Sequence, residues 1–310
     1  MVLRIAIVGP GRVGMAFARR FVRAGVEVLG FVGRDRAGTE SCIADLGVDR
    51  ANLRVLTWPD VQSAHVVIFA VGDSELPAAI EAAASVGGRP CSLWLHTSGR
   101  HGLEVFAKAL PLGVRVGALH PLLPFGSVQT QSMQGALALL LGEPRSMRLL
   151  HRLCQLLELQ AIVCATGGDS QHSRASEHNS IEHNRPLYHA ACALAANGAT
   201  ALFGLASELL LRAGGIARQD GDRMVASLMQ AAVASSEQHG AGPALSGPVR
   251  RGDAETVTAH LAAMNAAAKT AVPAYVALMN GALSLARDQG LAPADCERIA
   301  SALSLLRPPS

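Results

Sequence analysis

Leu3-Arg4-Ile5-Ala6-Ile7-Val8-Gly9-Pro10-Gly11-Arg12-Val13-Gly14 opens the chain, and its reading decides the fold. An apolar run of strand length passes into a G-x-G-x-x-G turn. The amphipathic stretch Met15 to Ala24 follows, then a second apolar run, Val26 to Val32, closing in Gly33-Arg34-Asp35-Arg36. Strand, glycine turn, helix, strand is the context in which this motif marks a dinucleotide site rather than a tight turn without a ligand. Gly9 lets the chain leave the strand, Gly11 lets a pyrophosphate approach bare backbone, and Gly14 lets the helix pack close. The N–H groups at the helix start then face the anion, helped by the helix dipole.

The end of the second strand selects the coenzyme. An NAD site carries Asp or Glu about 20 residues on, bonding the ribose hydroxyls. That count from Gly14 reaches Arg34, with Arg36 beyond. A guanidinium grips a 2′-phosphate through two charge-assisted hydrogen bonds, where a carboxylate would repel it. Arg12, inside the turn, adds a third cation. The pattern favours NADP(H) as cofactor. Asp35 is the competing residue, and each arginine also reads as a solvated loop charge.

The 310 residues suit two domains, and a hydrophobic share of 50% supports a large core. The net charge is only +3 and aromatics are 4%, so no nucleic-acid partner is expected. The chain starts in a strand, with no basic segment ahead of an apolar core, so no signal peptide is expected. Ala190 to Leu211 approaches the length of a membrane span. It carries Asn197, Thr200, Ser207 and Glu208 and is alanine-rich, which reads as a buried helix at a domain or subunit interface, with no membrane partner. The cysteines, at 42, 91, 154, 164, 192 and 296, show no C-x-x-C pairing and no metal-like spacing. They read as reduced thiols of a cytoplasmic protein.

Beyond Arg36 the runs alternate. Helix Ala37 to Leu46 precedes strands Leu53 to Leu56 and His65 to Val71, the latter ending in Gly72-Asp73-Ser74. Asp73 or Ser74 would cap the next helix, with Pro77 near its start. Strand Cys91 to Leu95 ends in His96-Thr97-Ser98-Gly99. A helix from Leu103 to Ala109 leads to strand Val114 to Leu119, ending in His120-Pro121. Strand Ala136 to Leu141, helix Pro144 to Leu157 and strand Gln160 to Cys164 complete the set. The pattern implies an α/β fold: an N-terminal Rossmann-type, doubly wound, mostly parallel sheet over residues 1–165. Ligands of such sheets bind beyond the carboxyl ends of the strands, so the three polar strand ends should meet on one rim.

Residues 166–185 break the pattern. They hold His172, His178 and His183, whose spacings do not share a helix face, so a polar linker is read there and no metal site. From 186 to 310 the chain reads as an all-α domain for substrate binding and dimerisation. Its helices span Leu187 to Arg212, Arg218 to Gln238, Asp253 to about Ala267, Thr270 to Gln289 and Pro293 to Leu305, with Ala244 to Gly252 as an ordered loop.

Four segments carry a resemblance: His96-Thr97-Ser98-Gly99; Gly117-Ala118-Leu119-His120-Pro121-Leu122 with Phe125; Leu187-Tyr188-His189-Ala190-Ala191 through Ala196-Asn197; and Ser246-Gly247-Pro248-Val249-Arg250-Arg251-Gly252-Asp253 with Thr256, Val257 and His260. The chain resembles the superfamily of pyrroline-5-carboxylate reductase, ketopantoate reductase and the 6-phosphogluconate dehydrogenase-like enzymes. Within it, the chain resembles a poorly characterised bacterial group that joins a Rossmann-like domain to a helical domain of unknown function. The resemblance spans essentially the whole chain. It implies an NADP-type cofactor, a reductase-like architecture and a homodimer through the helical domain; it supplies no substrate.

Hydride transfer to C=O or C=N needs a proton donor and groups that hold the acceptor. His189 is the first candidate donor, because related enzymes place substrate-facing residues near the start of this helix. Asn197, eight residues on, could hold a substrate oxygen. His120, fixed by Pro121, is the second candidate, and Ser98 is a candidate contact for substrate or nicotinamide. His96 reads as a buried strand-end residue. Around the coenzyme the expected set is Gly9, Pro10, Gly11, Arg12, Val13, Gly14, Gly33, Arg34, Arg36, Val71, Gly72, Asp73, Thr97 and Ser98. Arg250 and Arg251 are either a clamp for an anionic substrate or structural, as ion-pair partners of Asp253 or as compensation for the dipole at a neighbouring helix end. Two functions of different class fit: an NADP(H)-dependent oxidoreductase acting on a small, anionic carbonyl or imine compound, and a nucleotide-binding sensor or scaffold without turnover.

Overall fold

A computed structural model describes residues 2–47, 53–126, 132–163, 181 and 184–304. The chain divides into two compact units, Met1–Ala196 and Asn197–Ser310. The first holds an eight-stranded sheet. In chain order its strands are β1 (Arg4–Val8), β2 (Glu27–Val32), β3 (Arg54–Val55), β4 (Val66–Phe69), β5 (Leu93–His96), β6 (Arg115–Pro121), β7 (Leu137–Gly142) and β8 (Gln160–Val163). They lie in the order β3-β2-β1-β4-β5-β6-β7-β8. The pairs are parallel except β6 with β7, which run antiparallel with Gly117 opposite Gly142. The reversal of direction beside β1 makes a crevice at the carboxyl ends of β1 and β4, where such sheets take ligands.

Alternation along the strands sends neighbouring residues to opposite faces. Ile5 and Ile7 of β1 pack with Met15, Phe17 and Phe21 of α1 (Arg12–Arg23), with Ile43 of α2 (Arg36–Ala44), and with Leu150 and Leu153 further along the sheet. Ala6 and Val8 face the other way, into a cluster with Leu76 and Ile80 of α3 (Leu76–Ser85), Trp94 and Phe106. The helix after β7 is α4 (Pro144–Leu156).

Some elements depart from the sequence reading. Leu103 to Ala109 forms no α-helix: 3₁₀ turns cover Leu103–Phe106 and Leu110–Leu112 instead. Pro111 follows closely, and the segment is too short to offset helix nucleation. Neither Asp73 nor Ser74 caps α3, whose N-cap is Glu75.

The long helix comprises α5 (Arg185–Ala193), a π segment (Leu194–Gly198) and α6 (Ala199–Ala213). The π segment ends at Gly198, and a glycine weakens a helix interior. Residues 186–196 cluster with the sheet rather than with the later helices, because Arg185 and Tyr188 dock on strand ends. The expectation that this helix is buried does not hold within one chain: only 6% of its most apolar window is covered. By length and composition the stretch could cross a membrane.

The second unit contains α6, α7 (Arg218–His239), α8 (Ala241–Ala244), α9 (Pro248–Arg251), α10 (Ala254–Ala267), α11 (Val272–Asp288) and α12 (Pro293–Ser304). No strand occurs in it among the described residues. The Ala244 to Gly252 stretch holds the single turn α9, closed by Gly252 at φ +72°, and Asp253 caps α10 by accepting from the Thr256 amide at 3.0 Å. Val257, Leu261, Ile299 and Leu303 lead its core. His172, His178 and His183 lie outside the described residues.

Candidate active site

Gly9 leaves β1 at φ +99°, where any side chain would press on the Ala70 carbonyl. Gly14 sits against the Gly9 carbonyl, which brings α1 close under the turn. Gly11 differs: a Cβ there would meet nothing nearer than the Ala70 carbonyl at 3.9 Å. Gly11 is the N-cap of α1, with no side-chain cap and no acid in the first turn. Among the described residues no side chain caps the backbone N–H groups at the positive end of this 12-residue helix, which fits a diphosphate.

The surrounding cations are arranged as follows. Arg34, its side chain 83% exposed, pairs with Glu75 at the start of α3. Arg36 pairs with Glu40 at 2.7 Å. Arg12 donates to the Phe125 and Gly126 carbonyls at 2.8 and 3.3 Å. Asp35, the competing carboxylate, caps α2 by accepting from the Gly38 amide at 2.6 Å. Gly33 packs on Thr39.

The polar strand ends meet as the topology requires. Ser98 donates its hydroxyl proton to Asp73 Oδ1 at 2.6 Å and accepts from the Arg100 and His101 amides, both at 3.1 Å. The sequence reading gives Ser98 a direct contact with substrate or nicotinamide. Its hydroxyl is committed on three sides, to Asp73 and to the Arg100 and His101 amides, and so builds this turn. His101 Nε2 donates to the Asp73 carbonyl at 2.9 Å. Thr97 is buried beside Ser98, while Val71 is half-buried and Gly72 exposed.

His96 is fully buried, accepts from the Ser98 amide at Nδ1 and donates from Nε2 to the Gly102 carbonyl. Burial lowers its pKa to about 3. His120 is also driven down, to about 4, first by burial and then by the Arg185 and His189 charges. The phenol of Tyr188 and His120 Nδ1 share a hydrogen bond of 2.6 Å. Burial pushes the Tyr188 pKa up, so the phenol keeps its proton. The His120 and His189 rings stand edge to face, 6.5 Å between centroids. Gly99 lies in the gap: a Cβ there would fall 2.8 Å from His120 Nε2 and 2.8 Å from His189 Cδ2.

Arg185 ties the helix start to this rim. It is 3% exposed, donates to the Ser98 carbonyl at 2.7 Å and the His101 carbonyl at 2.9 Å, and its guanidinium stands 4.9 Å from the Tyr188 ring centroid. Sequence reasoning missed both Arg185 and Tyr188. A cation directly before the helix-starting Pro186, and one of only two tyrosines in the chain, were the available signals. Asn197, Arg250 and Arg251 belong to the second unit. Neither arginine makes an ion pair among the described residues, and the Asp253 carboxylate is held by Thr256.

Both depressed histidines set a pH dependence. Unfolded, each would titrate near 6.5. The unfolded chain binds more protons below that value, so stability is full above about pH 6.5 and falls as pH drops toward 4 and 3. The urea midpoint should be lower at pH 5 than at pH 7.5, and His120→Gln should narrow the difference. An equal midpoint at both values would contradict the buried neutral pair.

A Rossmann-like domain model matches residues 1–121, and a domain of unknown function, DUF2520, matches residues 173–295. No curated protein matches the chain. Among solved structures it is similar to a Bacteroides fragilis protein named as an NADP oxidoreductase, with 16% identity, TM-score 0.67 and coverage of 93% of this chain and 97% of that one. It is similar to a reductive aminase from Aspergillus terreus in complex with NADPH and ethyl-5-oxohexanoate, with 16% identity, TM-score 0.57 and coverage of 98% and 93%. It is also similar to Plasmodium falciparum pyrroline carboxylate reductase with NADP bound, with 8% identity, TM-score 0.55 and coverage of 97% and 98%. The two family models thus match separate stretches of the chain, the Rossmann-like one over residues 1–121 and DUF2520 over residues 173–295, and the chain shares its fold with these solved structures.

Proposed function

We propose that the protein is an NADP(H)-dependent reductase of a small carbonyl or imine compound, anionic if Arg250 and Arg251 contribute to its binding. One observation carries the reading: the open glycine turn and the His120–Tyr188–His189 group occupy one carboxyl edge of one sheet. Gly9 to Gly14 would hold the diphosphate, Arg34 and Arg36 the 2′-phosphate, and Val71 to Asp73 with Thr97 the inner wall. The bound coenzyme would supply the hydride. His189, whose ring stands edge to face with that of His120 beside the Gly99 turn, is the proposed proton donor. His120, kept neutral by burial and accepting from Tyr188, would present its Nε2–H to the substrate oxygen or nitrogen. Asn197 is a further candidate for that contact. Ser98 positions the Asp73 turn.

The apolar flank of the 185–213 helix supports a homodimer: Leu187 and Leu194 are 65% and 76% exposed in one chain. A second copy covering them, in a cytoplasmic protein, is the proposed arrangement.

Melting the protein with NADPH, NADH and their oxidised forms tests the coenzyme. NADPH should raise the melting temperature more than NADH, and Arg34→Ala should shrink that gap. A panel of oxo acids and cyclic imines with NADPH tests turnover. His189→Ala should lower kcat by about 10²–10³ with NADPH affinity unchanged. Tight NADPH binding with no reduction of any panel member would favour the sensor or scaffold reading instead.

A further inference from the structure

The opposite edge of the sheet holds a second concavity. It opens where β5 and β6 begin, with Leu93 and Arg115 paired as the first residues of their strands. The strand-end histidines close the other edge, roughly 10 Å away at the strand rise of about 3.3 Å per residue. The cavity measures about 820 Å³ and adjoins another of about 300 Å³, with Cys91, Arg115, Leu149 and Arg152 lining both. That is the size of a small-molecule site.

Its walls are cationic. Arg145, Arg148 and Arg152 line it from α4, and Arg89 and Arg115 from the strand starts. Arg115 is anchored: it donates to the Cys91 carbonyl at 3.0 Å and the Arg145 carbonyl at 3.3 Å. Among the described residues no carboxylate lies within ion-pair distance of Arg89, Arg145, Arg148 or Arg152, although other arginines of this unit, such as Arg34, Arg36 and Arg54, are so paired. Glu143, the residue before Pro144, is exposed and pairs with none of them. Crowded guanidiniums repel one another unless an anion joins them. Leu149 and the arginine stems supply an apolar floor.

We propose that this arginine-lined cavity is a binding site for a ligand carrying two or more linked phosphate groups. The helix sets the length. Positions 145, 148 and 152 follow i, i+3, i+7 spacing, so the three share one face over about 10 Å of helix. A lone carboxylate or phosphate occupies one guanidinium fork. A phosphate chain presents successive oxygens to the whole ladder, each fork binding two of them. Nucleoside polyphosphates and inorganic polyphosphate share this chemistry.

Calorimetric titration of the full chain with tripolyphosphate, ATP and AMP tests the site. Tripolyphosphate and ATP should bind, with AMP at least tenfold weaker. Arg148→Glu with Arg152→Glu should weaken both by at least tenfold and more so at low salt, while Arg34→Ala should leave tripolyphosphate binding unchanged. Both changes fall on exposed side chains, so a melting temperature near that of the parent checks that the double variant folds. Binding of tripolyphosphate alone supports the site and assigns it to inorganic chains; binding of ATP alone supports it and assigns it to nucleotides. No binding by either, AMP binding as tightly, or binding that survives the double variant overturns the proposal.

Discussion

Gly11→Asp is expected to abolish coenzyme binding while leaving the protein at least as stable. The two effects separate because the position is free of steric conflict. Gly11 has φ −77°, a conformation any residue adopts, and a Cβ there would meet nothing nearer than 3.9 Å. An aspartate would act as N-cap to α1, worth about 0.5 kcal/mol over glycine. The same carboxylate would stand where the diphosphate belongs. Two like charges at about 4 Å repel by about 4 kcal/mol at a surface-like dielectric, close to a thousandfold in affinity. NADPH titration should show at least a hundredfold weakening, with an unchanged or slightly raised melting temperature. Affinity within threefold of the parent would place the coenzyme elsewhere.

The second large effect is on stability. Arg185→Leu removes two charge-assisted hydrogen bonds and strands the Ser98 and His101 carbonyls. The loss should be about 3 kcal/mol, since bonds to a charged donor are worth about 1.5–3 kcal/mol each and the guanidinium regains hydration when unfolded. For a domain of this size the melting temperature should fall by roughly 6–12 °C. Arg185→Lys should fall between, because an ammonium cannot reach both carbonyls from one fork. A shift within 1 °C for the leucine variant would mean that the sheet rim does not depend on this anchor.

The architecture was legible because its signals are local and periodic. Ile5 and Ile7 against Ala6 and Val8 declare a two-faced strand, and Gly9, Gly11 and Gly14 declare the turn. Asp253 stands directly before an apolar helix, where a cap belongs, and it accepts from the Thr256 amide there. What escaped depends on contacts distant in sequence. Ser98 looked free beside a glycine, yet Asp73, 25 residues earlier, takes its proton. Asp73 looked like a helix cap for the same reason. Arg185 binds carbonyls 84 and 87 residues away, a relation that no spacing reveals. The π segment within 185–213 also escaped, since residues 194–198 are ordinary helix formers apart from Asn197 and Gly198.

Gly99 bears on how such a protein can diversify. Two imidazoles close in on its α-carbon from either side, so even one added methyl would displace a ring. The floor of the cleft is therefore closed to gradual tailoring by point substitution. New chemistry in descendants of this chain would have to arise from residues that flank the turn, while the turn itself persists as ancestral fixture.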